Sequence, residues 1–339
     1  MKLYLRVVFF VFFSVSAYSQ VGGEYVYNFL NLPTSARQVA LGGATLTLTD
    51  DVNQPIWNPS VINNNLDRQL AVNYTSYLAG INIGSVSYAQ TISRHFGTLH
   101  GNIKYLHYGA FIGADEKGNE TSNFTASDIA VSVGYAVDLP ILGFSVGANL
   151  KVITSTISTF SSVGIAVDFG LLYQHPQLPF ELTVVARNLG IQIKSYNTIK
   201  EKLPFTVAFS GAYKLDHVPL KWYVTADNLQ QWELAVSNPS NEIVDLEGNV
   251  TTENISFFKN MFRHFVVGVE LFPERVINFR VGYNFRRAAE LKLQSVRSFA
   301  GISFGFGLKM NKIKLNYAYS NVHTASNIST FSLQINLDR

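Results

Sequence analysis

From residue 68 onward apolar and polar side chains alternate with a period of two, the pattern of β-strands whose two faces meet different surroundings. Between Leu142 and Val152 the even positions are Leu142, Phe144, Val146, Ala148, Leu150 and Val152, and the odd ones Gly143, Ser145, Gly147, Asn149 and Lys151. Ile277, Phe279, Val281, Tyr283 and Phe285 alternate with Asn278, Arg280, Gly282 and Asn284, and Phe331, Leu333, Ile335 and Leu337 with Ser332, Gln334 and Asn336. The pattern predicts fourteen strands, near 68–77, 81–92, 97–109, 123–138, 142–154, 159–173, 180–190, 203–214, 219–228, 258–272, 275–285, 299–309, 312–320 and 328–337. Most approach the roughly 9–11 residues a strand needs to cross a bilayer, against about 5–6 in water-soluble proteins. A β-sandwich also alternates. Small residues on the polar face, as in Gly301, Ser303, Gly305 and Gly307 opposite Ile302, Phe304, Phe306 and Leu308, suit a curved wall around a polar interior instead. The expectation is an all-β fold, a transmembrane antiparallel β-barrel.

The connections agree. Tight turns are expected at 139–141, 273–274 and 310–311, and long ones at 110–122, 191–202, 229–257 and 286–298. All the long ones fall on one parity, as in outer-membrane barrels with short periplasmic turns, long external loops and both termini periplasmic. Residues 20–66 differ: Leu32-Pro33, Gly42-Gly43, Pro55 and Asn58-Pro59 interrupt any period, and Asp50-Asp51 adds charge. This stretch is too irregular for strands and too apolar for a free tail, so it is expected inside or under the barrel as a plug, where protein surrounds its irregular backbone. The barrel then occupies 67–339.

Residues 1–19 read as a secretory signal: Lys2 and Arg6, the apolar run Val7 to Val15, and the small-x-small site Ala17-Tyr18-Ser19. Composition fits a surface facing lipid, with 47 % hydrophobic and only 14 % charged residues where a soluble domain carries about 25 % charged. No run beyond the leader is long enough for a membrane helix, which needs about 18 apolar residues. The chain has no cysteine, so disulfides, thiolate metal sites and a lipidated cysteine are excluded. The formal charge of +3 gives no reason to expect nucleic acid.

No catalytic or metal constellation is apparent, and no cofactor is expected. The histidines at 95, 100, 107, 175, 217, 264 and 323 are scattered, without an HExxH spacing, a GxSxG elbow or a phosphate-binding loop. Lys104, Lys151, Glu181, Arg187, Glu270 and Arg280 lie on polar strand faces, where they line a wet lumen or pair with the plug through Asp50 or Asp51. Tyr74, Tyr77, Tyr88, Tyr105, Tyr108, Trp222 and Tyr283 are expected in interface girdles. In the longest expected external loop, Trp232 with the acidic Glu242, Asp245, Glu247 and Glu253 forms a candidate docking surface for a partner protein.

The stretch Phe29-Leu30-Asn31-Leu32-Pro33-Thr34-Ser35-Ala36-Arg37, then Ala40-Leu41-Gly42-Gly43-Ala44 and Asn58-Pro59-Ser60, resembles the N-terminal signature of the PorV/PorQ family. Tyr108-Gly109-Ala110-Phe111, Asn149-Leu150-Lys151, Glu201-Lys202-Leu203-Pro204-Phe205 and Asn228-Leu229-Gln230-Gln231-Trp232-Glu233-Leu234 resemble the PorQ branch. The resemblance implies a fourteen-stranded, FadL-like barrel in the outer-membrane attachment complex of the type IX secretion system of Bacteroidetes. It implies a PorZ-like surface protein as partner, with PorU and PorV as further subunits. Gly42, Gly43, Asp50, Asp51, Asn58 and Pro59, read above from the irregular 20–66 stretch, are the candidate plug-motif positions. The competing expectations are a FadL-like transporter of hydrophobic small molecules and a passive porin.

Overall fold

The computed structural model describes residues 25–93, 96–234, 243–244, 250–251, 256–291, 299–323 and 326–338. Fourteen strands form one closed antiparallel barrel: β1 (Gln69–Ser76), β2 (Asn82–Ser93), β3 (Gly97–Phe111), β4 (Phe124–Asp138), β5 (Phe144–Ile157), β6 (Phe160–Gln174), β7 (Phe180–Lys194), β8 (Thr206–Lys214), β9 (Leu220–Ala226), β10 (Phe265–Leu271), β11 (Ile277–Asn284), β12 (Ile302–Met310), β13 (Ile313–His323) and β14 (Ser326–Asn336). Each strand pairs with its chain neighbours, and β1 closes the ring on β14 in the register Gln69↔Asn336 to Ser76↔Ser329. Closure pairs the backbone groups that a sheet edge would leave open, the condition for strands to cross lipid. Among the described residues no helix is long and apolar enough to cross a membrane.

The alternation is inverted relative to a water-soluble protein. On β11 the apolar Ile277, Phe279 and Val281 are 50–52 % exposed, while Asn278, Arg280 and Asn284 are 4–8 % exposed. An outer surface of this kind needs an apolar solvent around it. Connections after even-numbered strands have at most five residues, whereas 112–123, 195–205, 227–264 and 285–301 all follow odd-numbered strands. The barrel therefore has a turn end and a loop end, and the long connections lie where the sequence places them.

Several boundaries differ from expectation by a few residues, and three of the differences have a clear local cause. The strand expected from 258 is preceded by helix α2 (Phe257–Phe262), capped by the Ser256 hydroxyl, and begins only at Phe265. Phe257, Phe258, Met261 and Phe262 recur at helical spacing, which competes there with the period of two. The strand expected over 275–285 stops at Asn284, whose side chain caps helix α3 (Phe285–Glu290). Strand β7 runs past 190 to Lys194 across a register shift beside Asn188, which holds φ +58°. Its amide donates to Asp168 Oδ1 at 2.8 Å, so a side chain of the neighbouring strand replaces the missing ladder bond.

Candidate functional site

The N-terminal segment lies inside the barrel. The first described residue, Tyr25, bridges Lys202 at the loop end. From there the chain passes through 3-10 turns and the short helix α1 (Ala36–Ala40) before joining β1 at the turn end. So the two ends of the wall, Gln69 and Asn336, share the turn end, but the N-terminal segment starts at the opposite one.

The wall is shaped to receive this segment. Val26, Tyr27, Phe29 and Leu30 pack on inward-facing Ile83, Leu106, Ile153 and Ala166, so part of the lumen is apolar. Helix α1 places Ala36 and Ala40 against Ala318, and its first amide donates to Ser332 Oγ at 2.8 Å. The Asn58-Pro59 element sits over wall glycines. Asn58 Oδ1 accepts the Ser60 amide at 3.0 Å while Nδ2 donates to Leu46 O and Thr183 Oγ1. A Cβ added to Gly147 would stand 2.4 Å from the Pro59 carbonyl carbon, and one on Gly170 would stand 2.4 Å from Asn58 Oδ1. Gly42 (φ +95°) and Gly43 (φ +92°) turn the chain along β11, where only a glycine backbone fits without strain. Small polar-face residues therefore accommodate backbone rather than a water-filled lumen.

Charged groups complete the lock. Glu270, fully buried on β10, accepts Arg37 Nη2 at 2.8 Å, Arg280 Nε at 2.7 Å and the Tyr223 hydroxyl at 3.0 Å. Arg37 also bonds Asp50 at 2.8 Å, and Asp51 accepts from Gln334 of the wall. Removing one member of such a buried cluster typically costs about 3–5 kcal/mol. The direct ion pair between segment and wall is thus Arg37 with Glu270, while Asp50 pairs with Arg37 of its own segment. Lys151 pairs with Asp168 at 2.7 Å and Glu181 with Lys221 at 2.9 Å, both within the wall. Lys104 Nζ donates to the carbonyls of Phe29 and Leu32, holding the end of the first 3-10 turn.

Cavities remain at both ends. One of about 130 Å³ opens near the turn end, bordered by Arg37, Asp50, Arg280, Lys314 and Gln334. A larger one, about 340 Å³, lies at the loop end between the N-terminal segment and residues of β7, β8, β11, α3 and the 227–264 connection. It is lined by Asn31, Trp57, Arg187, Asp227, Gln231 and Arg287 among others. Arg187 was legible only as a lumen charge, and nothing local in the sequence joins it to Trp57, whose ring lies 3.9 Å beneath its guanidinium.

Of the candidate docking residues, Trp232 is 47 % exposed at the loop end, with its ring 5.0 Å from Phe257 and stacked 5.3 Å from His264. Asn260 of α2 holds its carbonyl, so Trp232 fastens the connection to the barrel rim. Glu242, Asp245, Glu247 and Glu253 lie outside the described residues. Of the expected girdle aromatics, Tyr74, Tyr105, Trp222 and Tyr283 face outward. Tyr77 and Tyr108 do not: both pack on the interior cluster, and the Tyr108 hydroxyl donates to Asp128 at 2.7 Å. Tyr108 shares the parity of inward-facing Lys104 and Leu106, which decides its side. Among the described residues no group of three or more His, Asp or Glu side chains is placed to hold a metal ion.

No protein-family model matches the chain, and no curated protein does. Among solved structures it is similar to the Ralstonia pickettii toluene transporter TbuX, with a TM-score of 0.54 at 11 % identity, covering 92 % of this chain and 100 % of that one. It is also similar to a mutant of the monoaromatic hydrocarbon channel TodX, with a TM-score of 0.50 at 11 % identity, covering 91 % and 98 %. These are FadL-family outer-membrane barrels, and the fourteen-stranded architecture of this chain matches theirs. At such identity the likeness is one of fold.

Proposed function

We propose that the chain is an outer-membrane barrel subunit of a type IX secretion attachment complex, most like the PorQ branch, and that it holds a PorZ-like surface protein at its loop end. The observation carrying this reading is the filled lumen: residues 25–66 are packed, hydrogen-bonded and charge-paired to the wall, as suits a mount better than a conduit. In this reading residues 1–19 are the export signal, 20–66 the plug, the loop end is external and the turn end periplasmic. PorU-like and PorV-like proteins are further subunits of the assembly, and no catalysis or cofactor is required.

The 227–264 connection supplies the docking surface. Trp232 presents a rigid half-exposed aromatic edge, and tryptophan is enriched among interface residues whose truncation costs most. Glu242, Asp245, Glu247 and Glu253 would speed association with a basic partner face at low salt. Replacing 234–253 by a short Gly/Ser linker is expected to leave insertion and heat-modifiable gel mobility unchanged while releasing the surface partner from cells. Normal retention of that partner would sink the reading.

A second reading, transport of a hydrophobic small molecule, has one observation in its favour. Ile83, Leu106 and Ile153 form an apolar inner surface on which residues 26–30 pack, and withdrawal of that stretch would widen an apolar path. Purification from native outer membrane separates the two: a stoichiometric surface protein supports the mount, and bound apolar ligand without protein supports transport.

A further inference from the structure

The loop-end cavity contains a buried cation whose hydrogen bonds are not made. Arg187 is 2 % exposed, and its Nε has no hydrogen-bond partner. Its charge partner, Asp227, approaches only to 3.9 Å, beyond hydrogen-bond length. A guanidinium carries five N–H donors in a fixed plane, and burying it without acceptors is costly unless something else supplies them. Trp57 stacks beneath that plane at 3.9 Å, which fixes its orientation. The fork is thus held rigidly at the side of a roughly 340 Å³ cavity, within the size range of small-ligand sites.

We infer that this cavity binds a small hydrophilic carboxylate, gripped by Arg187 over Trp57 and surrounded by the neighbouring amides. Charge count favours a monoanion. Arg187, Arg286 and Arg287 line the space against one lining carboxylate, Asp227, and Arg286 is approached at 3.9 Å by Glu290 from outside it. About one positive charge is left over, which a carboxylate balances and a phosphate dianion overshoots. Planarity favours it as well, because a carboxylate accepts two parallel N–H bonds from a guanidinium. The remaining lining, including Asn28, Asn31, Asn228, Gln230 and Gln231, offers amide donors and acceptors suited to hydroxyl or peptide groups rather than to a hydrocarbon. Such a carboxylate is supplied either by an acidic sugar or by the free C-terminus of a peptide.

The test is calorimetric titration of the full-length protein in detergent micelles with five probes: glucuronate, methyl glucoside, N-acetyl-Gly-Gly-Gly, its C-terminal amide and inorganic phosphate. Saturable one-to-one binding of at least one acid is expected, with its neutral counterpart weaker by about tenfold or more. Glucuronate alone identifies the sugar source, and the tripeptide alone the peptide source. Arg187→Gln should weaken the binding acid by a similar factor and Arg287→Gln by less. Should Arg187→Gln fail to insert, the acid-to-neutral comparison on the unaltered protein still decides. The proposal is overturned by no saturable binding of either acid, by equal binding of acid and neutral probe, by undiminished binding to an inserted Arg187→Gln barrel, or by inorganic phosphate binding more tightly than both acids.

Discussion

At Gly282 a Cβ would stand 2.1 Å from Gly42 N and 2.3 Å from the Leu41 carbonyl carbon, both backbone atoms of the N-terminal segment. Neither neighbour can rotate aside, so a side chain there must push the segment off the wall. Overpacking of this kind typically costs about 1–3 kcal/mol. Gly282→Ala is therefore expected to lower the urea midpoint of the folded barrel and expose Arg37 to trypsin. Gly101→Ala, where an added Cβ meets nothing within 4 Å, should do neither. Equal midpoints and equal digestion would show that the segment is not seated as described. The period-two pattern identifies the inner face of Gly282 but not the reason for glycine, because the backbone it accommodates lies some 240 positions earlier in the chain.

At the scale of elements, all fourteen strands were legible because lipid on one side and protein on the other impose strict alternation along each one. What escaped were places where a local signal outweighs the period: the Ser256 cap of α2, the Asn284 cap of α3 and the left-handed Asn188 in β7. The loop-end cavity was not legible at all. Parts of 25–33, Gly43, Ala44, Trp57, Arg187, 204–206, parts of 227–234, Asn284, Arg286 and Arg287 meet there only because the barrel closes and the N-terminal segment threads it. One loop element carries its own pH dependence. In the 112–123 connection the Asp115 carboxylate accepts from the Asn119 side chain at 2.9 Å and from the amides of Asn119 at 2.8 Å and Lys117 at 2.9 Å. These bonds, the Asn119 side chain foremost, hold its pKa below the usual carboxylate value. A depressed pKa means that the contribution is fully present above the ordinary aspartate pKa, about 3.9, and is lost as pH falls through the lower folded value. The Lys117 and Asn119 amide resonances of selectively labelled protein should therefore hold their shifts down to that ordinary value and move only below it. Movement centred at or above it would contradict the turn's geometry.

For the whole molecule, what matters is whether the lumen conducts. Between the two end cavities the cross-section is occupied by helix α1 on Ala318, by the Arg37–Glu270–Arg280 cluster and by the Asn58-Pro59 element over Gly147 and Gly170. These contacts come from different sides of the wall, so no single break frees the segment, and residues 26–30 add an apolar seat on Ile83, Leu106 and Ile153. An ion entering would have to displace packed side chains rather than water. The intact protein in a planar bilayer is accordingly expected to stay near baseline. Deletion of residues 20–55 takes away Arg37 but leaves Glu270 its bonds to Arg280 and Tyr223, so the wall keeps a paired carboxylate and can still close. Discrete conductance steps should then appear in preparations whose heat-modifiable mobility confirms a folded barrel. Gly282→Ala, which displaces the segment without removing it, should give intermittent openings between these two limits. A large steady conductance from the intact protein would mean that the segment does not seal the barrel, and would favour a porin over a mount.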